Sequence, residues 1–287
     1  MNRRSRAFPS PPCAIAVAVA LVLAGFLLAP EARSDHPGLA FAKRGSGEPT
    51  LVLIHGLGMD RSAWDRVAPA LEARHKVITV ELPGHGASPP LTNVSVRTVA
   101  EELDRTLRRE KVKNPVLVGQ SYGGLVALAS AAANPGRVRG VISIDLATYV
   151  EVDSERVANL VDLIEKRYPL FIRGVFPPMV RDSTQVDSVI EKANRVPRET
   201  MAAYFRDAWS TDLRPRVRGL KTPVLLIATD TTWPVSESWD SARKRLGYET
   251  AGPVTARRIS GSGHMVPLDR PDTLAVAILE FTSTLKK

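Results

Sequence analysis

The feature that most constrains this chain is a serine between two glycines, placed where a strand-like segment meets a helix-like one. Residues 119–123 read Gly-Gln-Ser-Tyr-Gly. An apolar, β-branched run at 115–118 precedes them and indicates a buried strand, and the run at 124–133, rich in alanine and leucine, indicates a helix. Ser121 therefore stands on a sharp turn, which its flanking glycines permit because they lack Cβ. The turn exposes the hydroxyl and aims the first amides of the helix at whatever the serine attacks.

Strand-like and helix-like segments alternate along the rest of the chain. Six further apolar or β-branched runs predict strands, at 39–42, 50–54, 76–80, 138–144, 223–228 and 253–259. Helical patterns lie between or after them, at 61–73, 95–109, 236–246 and 272–285. This alternation predicts an α/β protein with a mostly parallel central sheet flanked by helices.

Three loops carry further motifs. Residues 55–58 read His-Gly-Leu-Gly, and residues 81–88 read Glu-Leu-Pro-Gly-His-Gly-Ala-Ser. Residues 263–271 read Gly-His-Met-Val-Pro-Leu-Asp-Arg-Pro, directly before the last predicted helix. Together with the serine turn, these motifs resemble the α/β-hydrolase family over nearly all of the chain after about Leu39. The resemblance implies a catalytic triad in the order serine, acid, histidine, with no metal and no cofactor.

Two triad members follow from the chemistry that a serine needs. An alcohol attacks at neutral pH only with the help of a base whose pKa lies near 7, which histidine supplies. Of the five histidines, only His264 lies in the loop after the last predicted strand, so we predict Ser121 as nucleophile and His264 as base. By resemblance, the backbone amides of Leu57 and Tyr122 form the oxyanion hole. The resemblance makes two other histidines loop-pinning rather than catalytic, His55 and His85.

The acid has two candidates. The family usually places an aspartate after its seventh strand, where this chain has Thr232 and, two residues earlier, Asp230. Some members place the acid after the sixth strand, and this chain has Asp145 there. We predict Asp230 as the acid, with Asp145 as the alternative.

About seventy residues of different character separate the strands at 138–144 and 223–228. They combine helical spacing with aromatic residues, and the resemblance implies a helical cap inserted here, after the sixth strand of the family. We predict a core domain of residues 38–146 and 213–287 and a cap of residues 147–212. Three residues are predicted to contact substrate: Met59, Trp209 and Trp233.

The N-terminal segment has the pattern of a secretory signal peptide at 1–32. A basic stretch at 2–6 precedes an uncharged apolar run at 14–29. We expect an exported protein, periplasmic or secreted. The alternative is an uncleaved anchor, which would be the chain's membrane link. The single cysteine, Cys13, lies in this segment, so the exported chain would contain no disulfide.

The basic charge gives no reason to expect a nucleic-acid partner. The formal net charge of +9 falls to +7 without residues 1–32, which hold three arginines and one glutamate. The remaining basic residues are scattered and form no motif interleaved with aromatics, which indicates a basic surface rather than a nucleic-acid site. The sequence carries no signal for an oligomeric state.

The function implied by the resemblance is hydrolysis of a small-molecule carboxylic ester through an acyl-enzyme. The same triad serves carbon–carbon bond hydrolases, lactonases and perhydrolases, and all three remain alternatives. A weakly catalytic ligand-binding protein on the same fold is a further alternative, because the region around Asp230 departs from the family pattern.

Overall fold

A seven-stranded sheet forms the centre of the computed structural model, which describes residues 38–286. The predicted signal peptide and Cys13 lie outside these residues. The strands are β1 (Phe41–Arg44), β2 (Leu51–Ile54), β3 (Val77–Val80), β4 (Val116–Gln120), β5 (Gly140–Ile144), β6 (Val224–Thr229) and β7 (Val254–Ile259). They lie in the order β1-β3-β2-β4-β5-β6-β7, with β1 antiparallel to β3 and all other neighbours parallel. The predicted mostly parallel sheet is confirmed.

Helices connect the strands. They are α1 (Ala68–Glu72), α2 (Val96–Arg109), α3 (Tyr122–Ala133), α4 (Ser154–Lys166), α5 (Tyr168–Val175), α6 (Val186–Arg195), α7 (Arg198–Ser210), α8 (Arg214–Val217), α9 (Trp239–Arg245), α10 (Val266–Asp269) and α11 (Pro271–Thr284). Within residues 38–286, no helix is long and apolar enough to cross a membrane.

The central strands β2 to β6 are buried almost throughout, which explains their unbroken apolar runs. Successive side chains of β2 alternate between two hydrophobic clusters, because neighbouring residues of a strand point to opposite faces. Leu53 joins the cluster that contains Trp64 and Ile278 of α11, whereas Val52 joins the cluster that contains Leu103 of α2. The sheet is thus the middle of three layers, with helices covering both faces.

The predicted helix at 61–73 is interrupted in the structure. A 3-10 helix spans Arg61–Trp64, and α1 begins only at Ala68. Pro69 stands in the first turn of α1, where its missing N–H costs no hydrogen bond, so the chain begins a new helix here. By contrast α2 begins as its sequence predicts, because Ser95 accepts a hydrogen bond from the Thr98 amide and the Thr98 hydroxyl accepts one from the Ser95 amide.

Five helices, α4 to α8, and two 3-10 turns occupy the stretch between β5 and β6. These elements form the insertion. The insertion follows the fifth strand of residues 38–286, whereas the family's strand numbering predicted it after a sixth, because the described residues contain one strand fewer before it. The boundaries of core and cap at 146/147 and 212/213 stay a prediction. What the structure adds is that residues of α4, α5 and α7 line a cavity together with Ser121.

Candidate active site

Ser121 lies in a strained turn between β4 and α3. Its backbone has φ 53° and ψ −122°, a conformation that costs a non-glycine residue about 1–3 kcal/mol. Close backbone packing holds the turn in place. A Cβ on Gly123 would lie 2.4 Å from the Ile54 carbonyl oxygen, and one on Gly119 would lie 2.1 Å from the Gly123 carbonyl oxygen. The two glycines of the motif are therefore required by space.

His264 is paired with Asp145 at the carboxyl ends of the strands. The Nδ1 atom of His264 and Oδ2 of Asp145 are 2.7 Å apart. The carboxylate is almost wholly buried, whereas the histidine side chain is 30% exposed. Asp145 follows β5, the strand next to β4, so the pair stands beside the turn that carries Ser121. Since Asp145 occupies Nδ1, Nε2 is the histidine nitrogen left for the serine.

The prediction that Asp230 pairs with His264 is wrong in this geometry, and the alternative, Asp145, holds the histidine. The Asp230 carboxylate accepts hydrogen bonds from the Ser260 hydroxyl at 2.8 Å and from the Gly261 amide at 3.0 Å. These bonds turn it toward the loop after β7. Asp230 therefore fastens the start of the histidine loop and does not reach the imidazole.

The loop after β6 contacts Asp145, because it donates hydrogen bonds to the Asp145 carboxylate. The Thr229 amide donates to Oδ1 at 2.9 Å, and the Thr232 hydroxyl donates to the same carboxylate. Burial raises the pKa of the Asp145 carboxyl, but the bonds from His264 and from these two threonines outweigh it and leave the pKa below its usual value. Asp145 is consequently an anion at neutral pH and holds the imidazole of His264 through Nδ1.

Two buried histidines fix the loop that carries Leu57. His55 Nε2 accepts from the Leu82 amide at 3.1 Å, and His85 Nε2 accepts from the Gly58 amide at 3.3 Å. Burial lowers the pKa of His55 to about 4 and of His85 to about 3, so both rings are neutral at physiological pH. Their contacts fit the predicted loop-pinning role.

The predicted oxyanion donors both belong to residues that border the cavity. Leu57 lies between Gly56 and Gly58, whose φ is +73°. Tyr122 is the first residue of α3, so its amide has no acceptor within the helix. The Tyr122 amide is thus left for a substrate oxygen, and the catalytic role of both amides stays a prediction.

A carboxylate that the sequence did not single out joins the histidine loop to the insertion. Asp269 Oδ1 accepts from the amides of Arg181 and Asp182, both at 2.9 Å, and Oδ2 accepts from the Gly263 amide at 2.7 Å. The Met265 amide also donates to the Met179 carbonyl at 3.0 Å. We call these contacts the Asp269 clasp. Its sequence signal was the aspartate two residues before Pro271, but its partners are distant in the chain.

A cavity of about 370 Å³ opens over the serine turn. Ser121, His264 and Asp145 share it with Leu57 and Tyr122. The rest of its wall is mainly apolar, from the core residues Leu125, Leu146, Ala147 and Met265 and from the insertion residues Leu160, Val175, Phe176, Met179, Phe205, Ala208 and Trp209. The cavity therefore brings together five of the predicted site residues, whereas Asp230 does not line it. The five are Ser121, His264, Asp145, Leu57 and Tyr122.

Of the three predicted substrate contacts, only Trp209 lines this cavity. The prediction is wrong for Met59, which is 3% exposed and packs in the core cluster with Trp64, while Phe176 fills the space beside Gly58. It is also wrong for Trp233. That indole lies against Trp239 and under the Arg258 guanidinium, 4.2 Å from the ring centroid.

Two further residues near the site had no sequence signal. The Gln120 side chain donates to the His264 carbonyl at 3.1 Å and so ties the serine turn to the histidine loop. Asp207 of α7 accepts from the Tyr122 hydroxyl at 2.7 Å and from the Val96 amide at 2.8 Å. Asp207 thereby connects the insertion to the helix that follows Ser121.

Comparison with known proteins places this geometry in a family. The family model described as "Alpha/beta hydrolase family" matches residues 51–277. Among curated proteins, the chain is similar to a pimeloyl-[acyl-carrier protein] methyl ester esterase of Methylococcus capsulatus, with 42% identity over 102 residues, which are 35% of this chain and 38% of that protein. The match thus spans about two fifths of that relative's length. A longer match, 28% identical over 264 residues, covers 81% of this chain and 86% of the magnesium-chelatase 30 kDa subunit of Rhodobacter capsulatus.

Among solved structures, an esterase from Thermogutta terrifontis superposes with a TM-score of 0.74 at 22% identity, covering 85% of this chain and 93% of that one. This likeness shows the fold. The family model spans β2 to β7, with the serine turn and the histidine loop, and the chain therefore belongs to the alpha/beta hydrolase family.

Proposed function

We propose that this protein hydrolyses carboxylic esters by a serine mechanism. The observation that carries the proposal is the His264–Asp145 pair, 2.7 Å apart, which shares one cavity with Ser121. A serine, a histidine and a buried carboxylate in such an arrangement make an activated nucleophile. The methyl ester esterase name of several relatives supports the choice of an ester over other acyl bonds.

In the proposed reaction, Ser121 Oγ attacks the ester carbonyl carbon while His264 Nε2 takes its proton. The carbonyl oxygen becomes negative and accepts hydrogen bonds from the amides of Leu57 and Tyr122. The intermediate collapses, and the alcohol leaves with the proton from His264. A water that His264 deprotonates then attacks the acyl-enzyme, releasing the carboxylic acid and restoring Ser121. Asp145 holds the imidazole and stabilises its charge throughout.

The first experiment measures hydrolysis of p-nitrophenyl butyrate by the wild type and by Ser121→Ala. We expect the wild type to release nitrophenolate and the variant to lose at least about 10³-fold in kcat, because the nucleophile is gone. The matched control is Ser241→Ala, which removes a serine from α9 outside the cavity and should leave kcat unchanged. Equal activity in Ser121→Ala and wild type, both folded by circular dichroism, would refute the proposal.

We also propose that the protein is exported with cleavage of residues 1–32. The support is the sequence pattern alone, a basic stretch followed by an uncharged apolar run. Fractionation of cells that express the full chain, with N-terminal sequencing of the product, tests this. A new N-terminus near residue 33 in the exported fraction is expected, and an intact Met1 in every fraction would contradict it.

A further inference from the structure

We infer that the site accepts an apolar acyl group and rejects one that ends in a carboxylate. The inference rests on the proposed ester hydrolysis and adds a substrate class to it. It is drawn from the side chains that line the cavity, from the partners of their polar atoms and from the charges behind them.

The cavity wall offers no positive partner for an anion. Among residues 38–286, those that line it include no lysine and no arginine. The acid of the triad, Asp145, contributes a negative charge to the wall, held there by His264. A carboxylate that enters this space leaves water and gains no compensating charge.

Three polar side chains of the wall are directed toward other protein groups. The Tyr122 hydroxyl donates to Asp207, and the Thr211 side chain also bonds that carboxylate. The Gln120 amide donates to the His264 carbonyl. Three polar side chains in the wall therefore already have protein partners and bring few free donors to the acyl group.

The charges behind the wall are either negative or neutralised. Asp207 stands directly behind Tyr122 and Thr211 and adds a second carboxylate to this side of the cavity. A cation packs against a wall residue without lining the cavity, because the Arg214 guanidinium lies 3.6 Å from the centroid of the Tyr149 ring. Arg214 donates to both carboxylate oxygens of Asp212, at 3.0 and 2.8 Å, so its charge is already compensated.

The size of the cavity favours a compact substrate. Its volume of about 370 Å³ is near the lower end of the range of roughly 300–1,000 Å³ typical of small-molecule sites. The insertion contributes the apolar side chains Leu160, Val175, Phe176 and Phe205 to it. Burying a short alkyl chain against them is favourable, because it removes apolar surface from water.

The experiment compares three methyl esters on the wild-type protein. Methyl hexanoate and monomethyl adipate share one chain and differ by a terminal methyl or carboxylate. We expect kcat/KM for monomethyl adipate to be lower by roughly 100-fold, because its carboxylate is desolvated without a partner. Dimethyl adipate is uncharged and should be cleaved once, so that monomethyl adipate accumulates. Equal rates for the first two esters, or conversion of dimethyl adipate to adipate without the half-ester, would overturn the inference.

A charge-introducing variant tests the role of the wall itself. Leu160→Lys adds a cation to the cavity from α4, and the matched control Leu170→Lys adds one at an exposed position of α5 outside it. We expect the first variant to raise the monomethyl adipate to methyl hexanoate ratio at least about tenfold and the control to leave it unchanged. The same ratio in both variants would contradict the inference.

These outcomes separate the inference from the function on which it rests. If the protein cleaves esters but prefers monomethyl adipate, ester hydrolysis stands and the substrate class is wrong. If it cleaves none of the three esters and no p-nitrophenyl ester, the proposed function fails and the inference fails with it.

Discussion

At the scale of single residues, the neutral histidines His55 and His85 hold the loop that borders Ser121. His85 Nε2 can accept from the Gly58 amide only while it is unprotonated, and its ring lies edge-on to Tyr204 and near His55. Burial, followed by the charge that His55 carries when protonated, lowers the pKa of His85 to about 3 from 6.5. Between about pH 3 and 6.5, His85 therefore binds a proton in the unfolded chain but not in the folded chain.

This difference predicts a pH dependence of stability. The contribution of His85 is fully present above pH 6.5 and decreases as the pH falls toward 3, by about 1.4 kcal/mol per pH unit. Between pH 7.5 and 5.0 the loss is about 2 kcal/mol. In His85→Gln, whose side-chain oxygen can still accept from Gly58, urea unfolding should lose about 2 kcal/mol less than the wild type over this interval. Equal losses in the two proteins would contradict the assignment.

The choice between two aspartates could not be made from the sequence. Asp145 and Asp230 each come directly after a buried strand, β5 and β6 respectively. Because these two strands are parallel, the loops that begin with the two aspartates start at the same edge of the sheet. The backbone conformation of each aspartate and the hydrogen-bond partners of its carboxylate decide which one reaches His264. Asp145 has φ +51° and lies beside β4, whereas Asp230 is taken by Ser260 and Gly261. The sequence signals for Asp145 are its position after a strand where some family members place their acid, and Thr232 at the position where the family usually has its aspartate.

At the scale of elements, the Asp269 clasp joins α10 to the segment between α5 and α6. Its carboxylate accepts from amides on both sides, Arg181 and Asp182 on one and Gly263 on the other. A Cβ on Gly263 would lie 2.5 Å from the Met179 carbonyl oxygen, which shows how closely the two segments approach. The clasp therefore positions His264 and part of the cavity wall together.

Asp269→Asn should weaken both segments. An asparagine has one side-chain oxygen, and its NH₂ group would face an amide donor, so we expect a loss of about 1–3 kcal/mol in the free energy of unfolding. We also expect kcat to fall, since His264 is the neighbour of Gly263. The control is Asp272→Asn, an exposed change three residues further along the chain. A loss of stability with wild-type kcat at a temperature where the variant is folded would show that the clasp does not position His264.

Strands were easier to predict than helices in this chain. Each predicted strand overlaps an observed one. The signal is clearest for β2 to β6, because buried parallel strands carry unbroken apolar runs that are visible in the sequence. The sequence predicts one helix over 61–73, but a 3-10 helix that Asp60 caps ends at Trp64, and a separate helix with Pro69 in its first turn begins at Ala68. The contacts of the insertion were not predictable, since Phe176 and Phe205 meet the core through tertiary packing that no local pattern encodes.

At the scale of the whole molecule, the site draws on elements from most of the described chain. The proposed nucleophile, Ser121, follows β4, the proposed base, His264, follows β7, and the proposed acid, Asp145, follows β5. Parallel strands end at one edge of the sheet, which brings the loops together despite the sequence distance between them. The sheet thus brings Ser121, His264 and Asp145 together, whereas the insertion supplies much of the apolar wall of the cavity that they share.

The most direct test of this account is the rate at which a fluorophosphonate labels Ser121, followed by intact mass, in Asp145→Asn and in Asp230→Asn. The account predicts that Asp145→Asn slows labelling by roughly 10³–10⁴-fold, because the imidazole loses its orientation and the stabilisation of its charge. Asp230→Asn should stay within about threefold of the wild type, because a partly exposed carboxylate contributes little. A larger loss in Asp230→Asn than in Asp145→Asn would contradict the account.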